Sequence, residues 1–311
     1  MEPYPLTFEP ILVEKVWGGR TLEKFGKSLP PALLIGESWE LADLPQSIPR
    51  GQSIIANGPL AGQQLDRNFP LLIKFLDACD NLSVQVHPSM EYAATHRESH
   101  LKSEAWIILE TTPEGLIYIG LKKGTTEESL RASIHNNTVP ELLNAISVKK
   151  GECYYLPSGT CHALGAGVLV AEVQTPSDTT FRLWDWGRTG RTMHVDQAME
   201  CIDFNSTPEK ITAPVPLQSG PFETALLVET PYFSAERITA LNDAAMELVV
   251  DGSPAVLMVV QGHATIDHSH AVDAPTGTTV MLPVGLQNAS LLLKEGTSVL
   301  RFDLPAKTVI A

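Results

Sequence analysis

The chain has 311 residues, 43% of them hydrophobic, which is enough for one large domain or two ordinary ones with a real core. Its formal net charge is -14, from 36 acidic and 22 basic residues, and no basic run is longer than a pair. Nucleic acids are bound by concentrated positive charge, so this composition argues against nucleic acid as a partner. It does not exclude a small anionic substrate, because a few basic groups in one pocket decide that locally.

The chain shows no targeting or membrane segment. Residues 1–10 carry three prolines and two glutamates where a signal peptide needs a basic start and an apolar run. Nothing later approaches the roughly 20 consecutive apolar residues of a membrane span. The four cysteines form no CxxC pair and are interpreted as reduced thiols: Cys79, Cys153, Cys161 and Cys201. We therefore predict a cytoplasmic protein without membrane contact.

Short apolar runs separated by prolines and glycines fill the first two thirds of the chain. The clearest are strand-length and several are rich in β-branched residues: residues 71–76, 106–109, 116–119 and 168–173. They predict a mainly β protein.

The main exception is a predicted helical insertion over residues 125–147. Thr126 with two following glutamates resembles a capped helix start, and leucines and isoleucines then recur at helical spacing. Pro140 interrupts this pattern, which predicts two short helices rather than one long one. A smaller helix is predicted over residues 90–96.

From residue 221 onward, short strands alternate regularly with turns that contain Gly or Pro. The predicted strands are residues 223–227, 233–238, 255–260, 264–267, 279–282, 290–293 and 298–302. This spacing predicts a second, smaller β-barrel or sandwich. We therefore predict a larger N-terminal domain over residues 1–205, a proline-containing linker over 206–220 and a C-terminal β domain over 221–311.

The strongest local signal is the segment Leu-Ser-Val-Gln-Val-His-Pro at residues 82–88. In a strand, residues two apart face the same side, so Gln85 and His87 point together while Val84 and Val86 pack behind them. Glu104 lies just before the apolar run 106–109 and can supply a carboxylate from a neighbouring strand.

His162 ends a separate pattern, G-x5-P-x-G-x2-H, which starts at Gly151. Its Pro-x-Gly turn reverses the chain and puts His162 at the start of the returning strand. The pattern resembles the second motif of the cupin superfamily, and Gln85-x-His87 with the later Glu104 resembles the first. The resemblance implies a cupin-type β-barrel, or jelly roll, with a short helical insertion.

Two imidazoles, a carboxylate and an amide oxygen suit a divalent ion. Because two of these four ligands are nitrogen atoms, zinc or a similar transition metal is favoured over magnesium. Either histidine alone is more often a hydrogen-bonded core residue, and Glu104 alone an ordinary ion-pair partner. Packing requires neither the strand pair nor the turn spacing, so the combination predicts a metal site of Gln85, His87, Glu104 and His162. A thiolate zinc site at Cys153 and Cys161 is the alternative, although small buried thiols are the favoured interpretation.

A second cluster of polar and charged residues lies among aromatic ones at residues 172–186. Burying such groups costs free energy unless their charges are paired. In the structural interpretation Asp178 and Arg182 form a buried ion pair. In the functional interpretation Arg182 is a cation that stabilises an oxyanion.

Taken together, these residues resemble the type I mannose-6-phosphate isomerases, in particular the short bacterial and archaeal form. The motifs occur in order over about residues 10–190: Val-Trp-Gly-Gly at 16–19, Gly-Glu-Ser-Trp at 36–39, Leu-Ile-Lys-Phe-Leu-Asp at 72–77, the segment 82–88, Lys-Ser-Glu at 102–104, the turn ending at His162, and Ser177-Asp178-x3-Arg182. Two departures, Ser103 where the family often has Pro or Thr and a reduced helical insertion, remove no ligand.

The resemblance implies an enzyme that interconverts mannose 6-phosphate and fructose 6-phosphate with one zinc ion per chain. It implies Gln85, His87, Glu104 and His162 as metal ligands, and Lys102, Asp178 and Arg182 as further active-site residues. Such an isomerisation moves a proton between adjacent carbons through an enediol, so it needs a base and positive charge near the developing oxyanion.

Within that scheme, zinc and Arg182 supply the positive charge. Asp178 is assigned an orienting or proton-handling role, and Lys102 a substrate-binding or proton-relay role. Ser83 and Lys102 are the candidates for phosphate contact. The expected partner is a small sugar phosphate, and the expected assembly is a monomer or weak homodimer.

Two other functions remain open. One is a related isomerase acting on another sugar or sugar phosphate, since fold does not settle substrate. The other is a non-catalytic cupin that binds a sugar, against which the complete ligand set and Lys102 argue. The histidines at 263, 268 and 270, with Asp267, could also suggest a C-terminal metal site, but the sequence favours an exposed turn there.

Overall fold

The structure is a computed structural model that describes residues 2–44, 51–65, 68–206, 214–250 and 252–305. Strands dominate these residues, which confirms the prediction of a mainly β protein. Before residue 206 the strands are β1 (Leu6–Thr7), β2 (Ile11–Gly19), β3 (Ile35–Leu41), β4 (Leu72–Ala78), β5 (Val84–Val86), β6 (Glu104–Thr111), β7 (Leu116–Leu121), β8 (Leu143–Ser147), β9 (Cys153–Leu156), β10 (His162–Leu164), β11 (Val168–Gln174) and β12 (Phe181–Trp184). After residue 214 they are β13 (Leu217–Ser219), β14 (Phe222–Glu229), β15 (Ser234–Ala240), β16 (Ala244–Glu247), β17 (Ala255–Gln261), β18 (His263–Asp267), β19 (Val272–Pro275), β20 (Thr279–Leu282), β21 (Ser290–Leu293) and β22 (Ser298–Asp303).

Helices are few and short. The α-helices are α1 (Met90–Thr95), α2 (Glu127–Asn136) and α3 (Val195–Cys201), and the 3-10 helices are Thr21–Phe25, Gly58–Leu60 and Val139–Leu142. In the parts of the chain that the structure covers, no helix combines the length and apolar character needed to cross a membrane.

The strands form four antiparallel sheets. The six-stranded sheet has the order β2-β3-β4-β11-β6-β9 and the five-stranded sheet the order β12-β5-β10-β7-β8. The seven-stranded sheet has the order β1-β20-β17-β22-β15-β14-β13 and the four-stranded sheet the order β16-β21-β18-β19. The first two sheets contain the residues of the predicted metal site.

Hydrophobic clusters stack these sheets in layers. Trp106 and Ile108 of β6 pack with Ile117 and Ile119 of β7, which joins the six-stranded sheet to the five-stranded one. On the opposite face of β6, Ile107 packs in one cluster with residues of the seven-stranded sheet. Another cluster joins the seven-stranded sheet to the four-stranded one, so the layers run five, six, seven and four strands.

This stacking explains why the central strands are continuous apolar runs. All seven residues of β4 and all seven of β11 are buried, because both faces of the six-stranded sheet are covered. Side chains alternate between the faces of a strand, so even-numbered residues of β6 face the five-stranded sheet and odd-numbered ones face the C-terminal part.

The outer face of the five-stranded sheet is covered by helices. Val84 and Val86 of β5 pack there with Leu130 of α2 and with Ala198 and Met199 of α3. The prediction that Val84 and Val86 lie behind Gln85 and His87 is therefore confirmed.

The helical prediction over residues 125–147 is correct only in its first part. Thr126 caps α2, since its side chain accepts a hydrogen bond from the backbone N–H of Ser129. After a 3-10 turn that contains Pro140, however, residues 143–147 form strand β8 at the edge of the five-stranded sheet. The second predicted helix is wrong because pairing with β7 outweighs the local helical spacing.

The division into two domains stays a prediction, and residues 207–213 of the predicted linker lie outside the described residues. Residues 217–219 form the edge strand β13. The N-terminal strand β1 pairs with β20, Leu6 opposite Met281, so the start of the chain completes the C-terminal sheet.

Candidate active site

Three neighbouring strands bring predicted site residues side by side. In the five-stranded sheet, Gln85 of β5 lies opposite His162 of β10 on one side and opposite Arg182 of β12 on the other. Directly opposed residues share a face of the sheet, so all three side chains point the same way. Gln85 Nε2 is 3.3 Å from His162 Nε2.

The turn before His162 is hydrogen-bonded to His87, the residue that follows β5. Gly159 has φ of 89°, a conformation that glycine adopts without strain, and this lets the chain reverse. The Gly159 N–H donates to the carbonyl oxygen of His87 at 3.0 Å. The two histidines are thereby held close, with ring centroids 4.8 Å apart.

Glu104 approaches from the six-stranded sheet, where it is the first residue of β6. Its Oε2 is 3.4 Å from His87 Nε2, and its Oε1 is 3.3 Å from His162 Nε2. The three side chains are buried, and each offers a ligand atom within 4.8 Å of the others. These residues could hold a metal ion.

The polar atoms at this point lack hydrogen bonds. His87 Nε2 and both carboxylate oxygens of Glu104 are buried without a hydrogen bond from the described residues, although Lys102 Nζ lies 3.1 Å from Glu104 Oε2. Buried polar atoms that are left unsatisfied destabilise a fold. A divalent cation would satisfy all three, so the residues present fit a metal.

Backbone carbonyls orient both imidazoles. His87 Nδ1 is 3.0 Å from the Thr179 oxygen, and His162 Nδ1 is 2.8 Å from the Thr160 oxygen. Donation from Nδ1–H leaves Nε2 with its lone pair toward Glu104, the tautomer that a metal requires. Burial, with Lys102 nearby, lowers the pKa of His87 to about 3, so this imidazole is neutral.

Lys102 and Glu104 form a buried ion pair at the same point. Burial opposes ionisation of Glu104, but Lys102 and His87 hold the pKa of this carboxyl well below its usual range. Glu104 is therefore a carboxylate, the form that coordinates metal.

A cavity of about 260 Å³ opens beside this group. It is lined by the predicted residues Ser83, Gln85, Lys102, Asp178 and Arg182. His87, Glu104 and His162 lie buried next to Gln85 and Lys102. The structure thus brings every predicted site residue to one region.

A buried charge network on the cavity wall was missed as a site feature by the sequence reasoning. Lys15 Nζ is 2.8 Å from Glu37, and Lys74 Nζ is 3.7 Å from Glu37 and 2.9 Å from Glu172. Trp106 donates to Glu172 at 2.7 Å. Lys74 and Glu172 interrupt apolar strands, and that interruption is the signal that could have revealed them.

The pKa values of the network residues are shifted by burial and by the neighbouring charges. Burial alone would raise the pKa of Glu37, but Lys74 and Lys15 lower it to about 2. Burial would lower the pKa of Lys74, but Glu172 and Glu37 raise it above its ordinary value. Burial, with Glu104 nearby, raises the pKa of Glu172.

The predicted alternative of a buried ion pair between Asp178 and Arg182 is wrong. Asp178 is exposed, and within the described residues no ion pair joins it to Arg182. Arg182 instead donates from Nη1 to the Thr192 carbonyl at 2.6 Å, while Arg191 pairs with Asp185. Arg191, which the sequence reasoning did not single out, also lines the cavity.

The alternative metal sites gain no support. Cys153 and Cys161 belong to different hydrophobic clusters, and burial raises the pKa of both thiols to about 12, which disfavours thiolate ligands. His268 and His270 lie in the turn after β18, and His263 pairs with Asp273 at 2.6 Å. In the described parts of the chain, only His87, Glu104 and His162 form a group of three potential ligands.

Comparison with known proteins agrees with this geometry. Residues 12–158 match the family model of the phosphomannose isomerase type I catalytic domain. Mannose-6-phosphate isomerase ManA of Bacillus subtilis is 35% identical over 309 residues, which cover 92% of this chain and 95% of that protein. The mannose-6-phosphate isomerase of Streptococcus mutans is 32% identical, with 84% and 87% covered.

Solved structures extend the similarity to the whole fold. The crystal structure of the mannose 6-phosphate isomerase from Bacillus subtilis superposes with a TM-score of 0.86 at 28% identity, covering 96% of this chain and 99% of the other. The E264A mutant of phosphomannose isomerase from Salmonella typhimurium shares the fold, with a TM-score of 0.70 at 16% identity over 96% and 99% of the two chains. The expected cupin-like architecture is confirmed, and the chain belongs to the type I phosphomannose isomerase family.

Proposed function

We propose that this protein is a zinc-dependent isomerase that interconverts mannose 6-phosphate and fructose 6-phosphate through an enediol intermediate. The observation that carries the proposal is the convergence of His87, Glu104 and His162, whose buried ligand atoms lie within 4.8 Å of one another beside a polar cavity. Membership of the isomerase family supports the reaction and the sugar.

The proposed ligands are Gln85, His87, Glu104 and His162. Two imidazole nitrogens, a carboxylate and an amide oxygen favour zinc among the biological divalent ions, because nitrogen ligands disfavour magnesium and calcium. When bound, zinc supplies positive charge that polarises the oxygens of the sugar. The weak amide ligand is compatible with an exchangeable fifth position.

The protein's own charges complete the site. Arg182 lines the cavity and has no carboxylate within 4 Å among the described residues, so its charge is available to an oxyanion that develops on the substrate. Lys102 lies between Glu104 and the cavity, where it can bind a sugar hydroxyl or relay a proton. Asp178 is exposed at the cavity wall and is assigned to orientation or proton handling.

The phosphate group is assigned to the same cavity. Ser83 and Lys102 line it, and Ser83 Oγ donates to Gln85 Oε1 at 3.3 Å, so this hydroxyl stands next to the metal ligands. The cavity lining contains five cations and three carboxylates, an excess of positive charge that favours an anionic substrate in a protein whose net charge is -14. The cations are Lys15, Lys74, Lys102, Arg182 and Arg191, and the carboxylates are Glu37, Glu172 and Asp178.

We also propose a cytoplasmic protein that is a monomer or weak homodimer. Four free cysteines, two of them fully buried, suit a reducing compartment. Light scattering after size-exclusion chromatography over a range of concentrations tests the assembly.

Metal removal tests the activity directly. The protein is treated with a chelator, its zinc content is measured, and fructose 6-phosphate formation is assayed before and after zinc is restored. We expect activity to disappear with the metal and to return with it. Full activity after complete metal removal would exclude the metal-dependent mechanism.

A substrate panel separates the alternatives. Thermal-shift screening with sugar phosphates, followed by isomerase assays, should show turnover of mannose 6-phosphate above that of other aldose phosphates. Turnover of a different sugar phosphate would change the substrate, and binding without turnover would indicate a non-catalytic cupin.

A further inference from the structure

A buried glutamine holds the base of the segment that carries Asp178. Gln174 is the last residue of β11, is fully buried and lies directly opposite Glu104 of β6. Its Nε2 donates to the carbonyl oxygens of Thr175 at 2.8 Å and Ser177 at 2.6 Å. One amide nitrogen therefore uses both of its protons to bend the chain as it leaves the sheet.

The residues that follow lie between the cavity and residues 100–103. Ser177, Asp178 and Thr180 line the cavity, and the hydroxyl groups of Thr175, Ser177 and Thr179 contact residues 100–103. The hydroxyl contacts are Thr175 Oγ1 to the Leu101 oxygen at 3.0 Å, Ser177 Oγ to the His100 oxygen at 3.2 Å, and the His100 N–H to Thr179 Oγ1 at 3.2 Å. These hydrogen bonds hold residues 175–179 against residues 100–103, which include Lys102.

The side chain of Asp178 is not held in place by polar contacts with the described residues. Within the described parts of the chain its carboxylate makes no hydrogen bond and no ion pair. Its position over the cavity is therefore set by the backbone of residues 174–179. The same backbone contributes the Thr179 carbonyl that orients the ring of His87.

Glutamine at this position carries a cost in stability. Because Nε2 must face two carbonyl oxygens, Oε1 points away from them, and it is buried without a hydrogen-bond partner among the described residues. An unsatisfied buried acceptor destabilises a fold, which offsets part of what the two hydrogen bonds from Nε2 contribute. Retaining a cost of this kind at an active site points to a role in function.

We propose that Gln174 is a positioning residue for the isomerisation: it sets the place of Asp178 in the cavity relative to Glu104. The inference rests on the proposed function, in which Asp178 handles or orients the reacting groups. Gln174 touches no cavity surface, so it acts through Asp178 rather than on the substrate.

The test is a double-mutant cycle on the zinc-loaded enzyme with Gln174→Met, Asp178→Asn and the double variant. Methionine keeps the length of the side chain but donates no hydrogen bond. We expect Gln174→Met to lower kcat at least about 10-fold while KM changes less than about 3-fold, because misplacing a reacting group mainly costs rate. In the Asp178→Asn background the same change should cost less than about 2-fold, because the two residues act as one unit.

Val170→Ala is the matched control. Val170 lies on the same strand and face and is fully buried in an apolar cluster. It should lower the melting temperature but leave kcat unchanged at a temperature where the variant is folded. If Gln174→Met does not fold, Gln174→Asn takes its place in the cycle: its amide is one methylene too short to keep both hydrogen bonds, and it should show the same non-additivity.

The possible failures are distinguishable. Multiplicative effects in the cycle, or a kcat for Gln174→Met within about 2-fold of wild type, overturn the inference alone. Wild-type protein that does not isomerise mannose 6-phosphate overturns the proposed function, and this inference with it.

Discussion

Gln85 lies directly opposite His162 across the β5–β10 pair, although the two residues are 77 positions apart in the chain. Cross-strand pairing thus joins the two motifs into one site, and the side chain of Glu104 completes it from the facing sheet. The geometry makes the contribution of each side chain separable by substitution.

Replacing Glu104 by glutamine should abolish tight metal binding. The substitution keeps the shape of the side chain but removes the charge that faces His87 and His162. We expect metal affinity to fall at least about 100-fold, since loss of a mere outer-shell partner can cost that much. Competition with a chromophoric chelator measures the affinity.

Glu110→Gln is the control for this substitution. Glu110 lies on the same strand, but its side chain is 39% exposed and pairs with Lys24 at the surface. Its metal affinity should equal that of the wild type. An unchanged affinity in Glu104→Gln would show that this carboxylate is not a ligand.

Replacing Arg182 by alanine should reduce turnover while sparing the metal. Its guanidinium lines the cavity and contacts no metal-site carboxylate, so zinc content and the circular dichroism spectrum should stay unchanged. We expect kcat to fall roughly 100-fold, the usual cost of losing one group that stabilises an oxyanion. Arg131→Ala, which removes an exposed pair on α2, should keep full activity. Unchanged turnover in Arg182→Ala would reduce Arg182 to a structural residue.

The buried network on the cavity wall should make stability fall in acid. The pKa of Glu37 is about 2 in the folded protein and 4.5 without these interactions. A depressed folded-state pKa stabilises the protein above pH 4.5, and this contribution is lost as the pH falls toward 2. At neutral pH it amounts to about 3 kcal/mol.

Urea unfolding of wild type and Glu37→Gln between pH 2 and pH 7 measures this contribution. The free energies of unfolding should differ most near neutrality. The difference should shrink below about pH 4.5, where the unfolded chain takes up the proton, and reach its minimum near pH 2, where folded Glu37 is protonated too. A difference that does not change with pH would show that the carboxylate charge is not what stabilises the network.

The contact between the six-stranded sheet and the C-terminal part contains a buried ion pair. Lys27 Nζ lies 2.6 Å from Glu40 and donates to the Gly277 carbonyl at 2.7 Å. Lys27→Met leaves Glu40 buried without its cation, so we expect a loss of about 3 to 5 kcal/mol in the free energy of unfolding. Lys294→Met, which breaks the exposed pair with Asp243, should leave stability nearly unchanged. Equal losses in the two variants, measured by urea unfolding, would contradict the burial argument.

The parts of the site that could be predicted from sequence are those set by local geometry. The period of two in a strand places Gln85 and His87 on one face, and the Pro-x-Gly turn places His162 at a strand start. Both follow from neighbours in the chain, so a single sequence is sufficient to predict them.

The parts that could not be predicted depend on which strands meet. Lys15, Glu37, Lys74 and Glu172 come from four strands, and their alternation of charge exists only once β2, β3, β4 and β11 lie side by side. The predicted pair of Asp178 with Arg182 failed for a related reason. The cost of burying unpaired charges suggested the pair, but Asp178 is exposed at the cavity and Arg182 donates to the Thr192 carbonyl.

The two faces of strand β6 lie in different environments, one reached by its even-numbered residues and the other by its odd-numbered residues. Glu104 and Trp106 face the proposed metal site and the cavity, whereas Ala105 and Ile107 face the apolar contact with the C-terminal sheet. A slip of one residue would exchange the faces, placing a carboxylate in the apolar contact and an alanine at the proposed metal site. Burial of Ala105 and Ile107 against the C-terminal sheet therefore stabilises one register of β6, the register that places Glu104 beside His87 and His162.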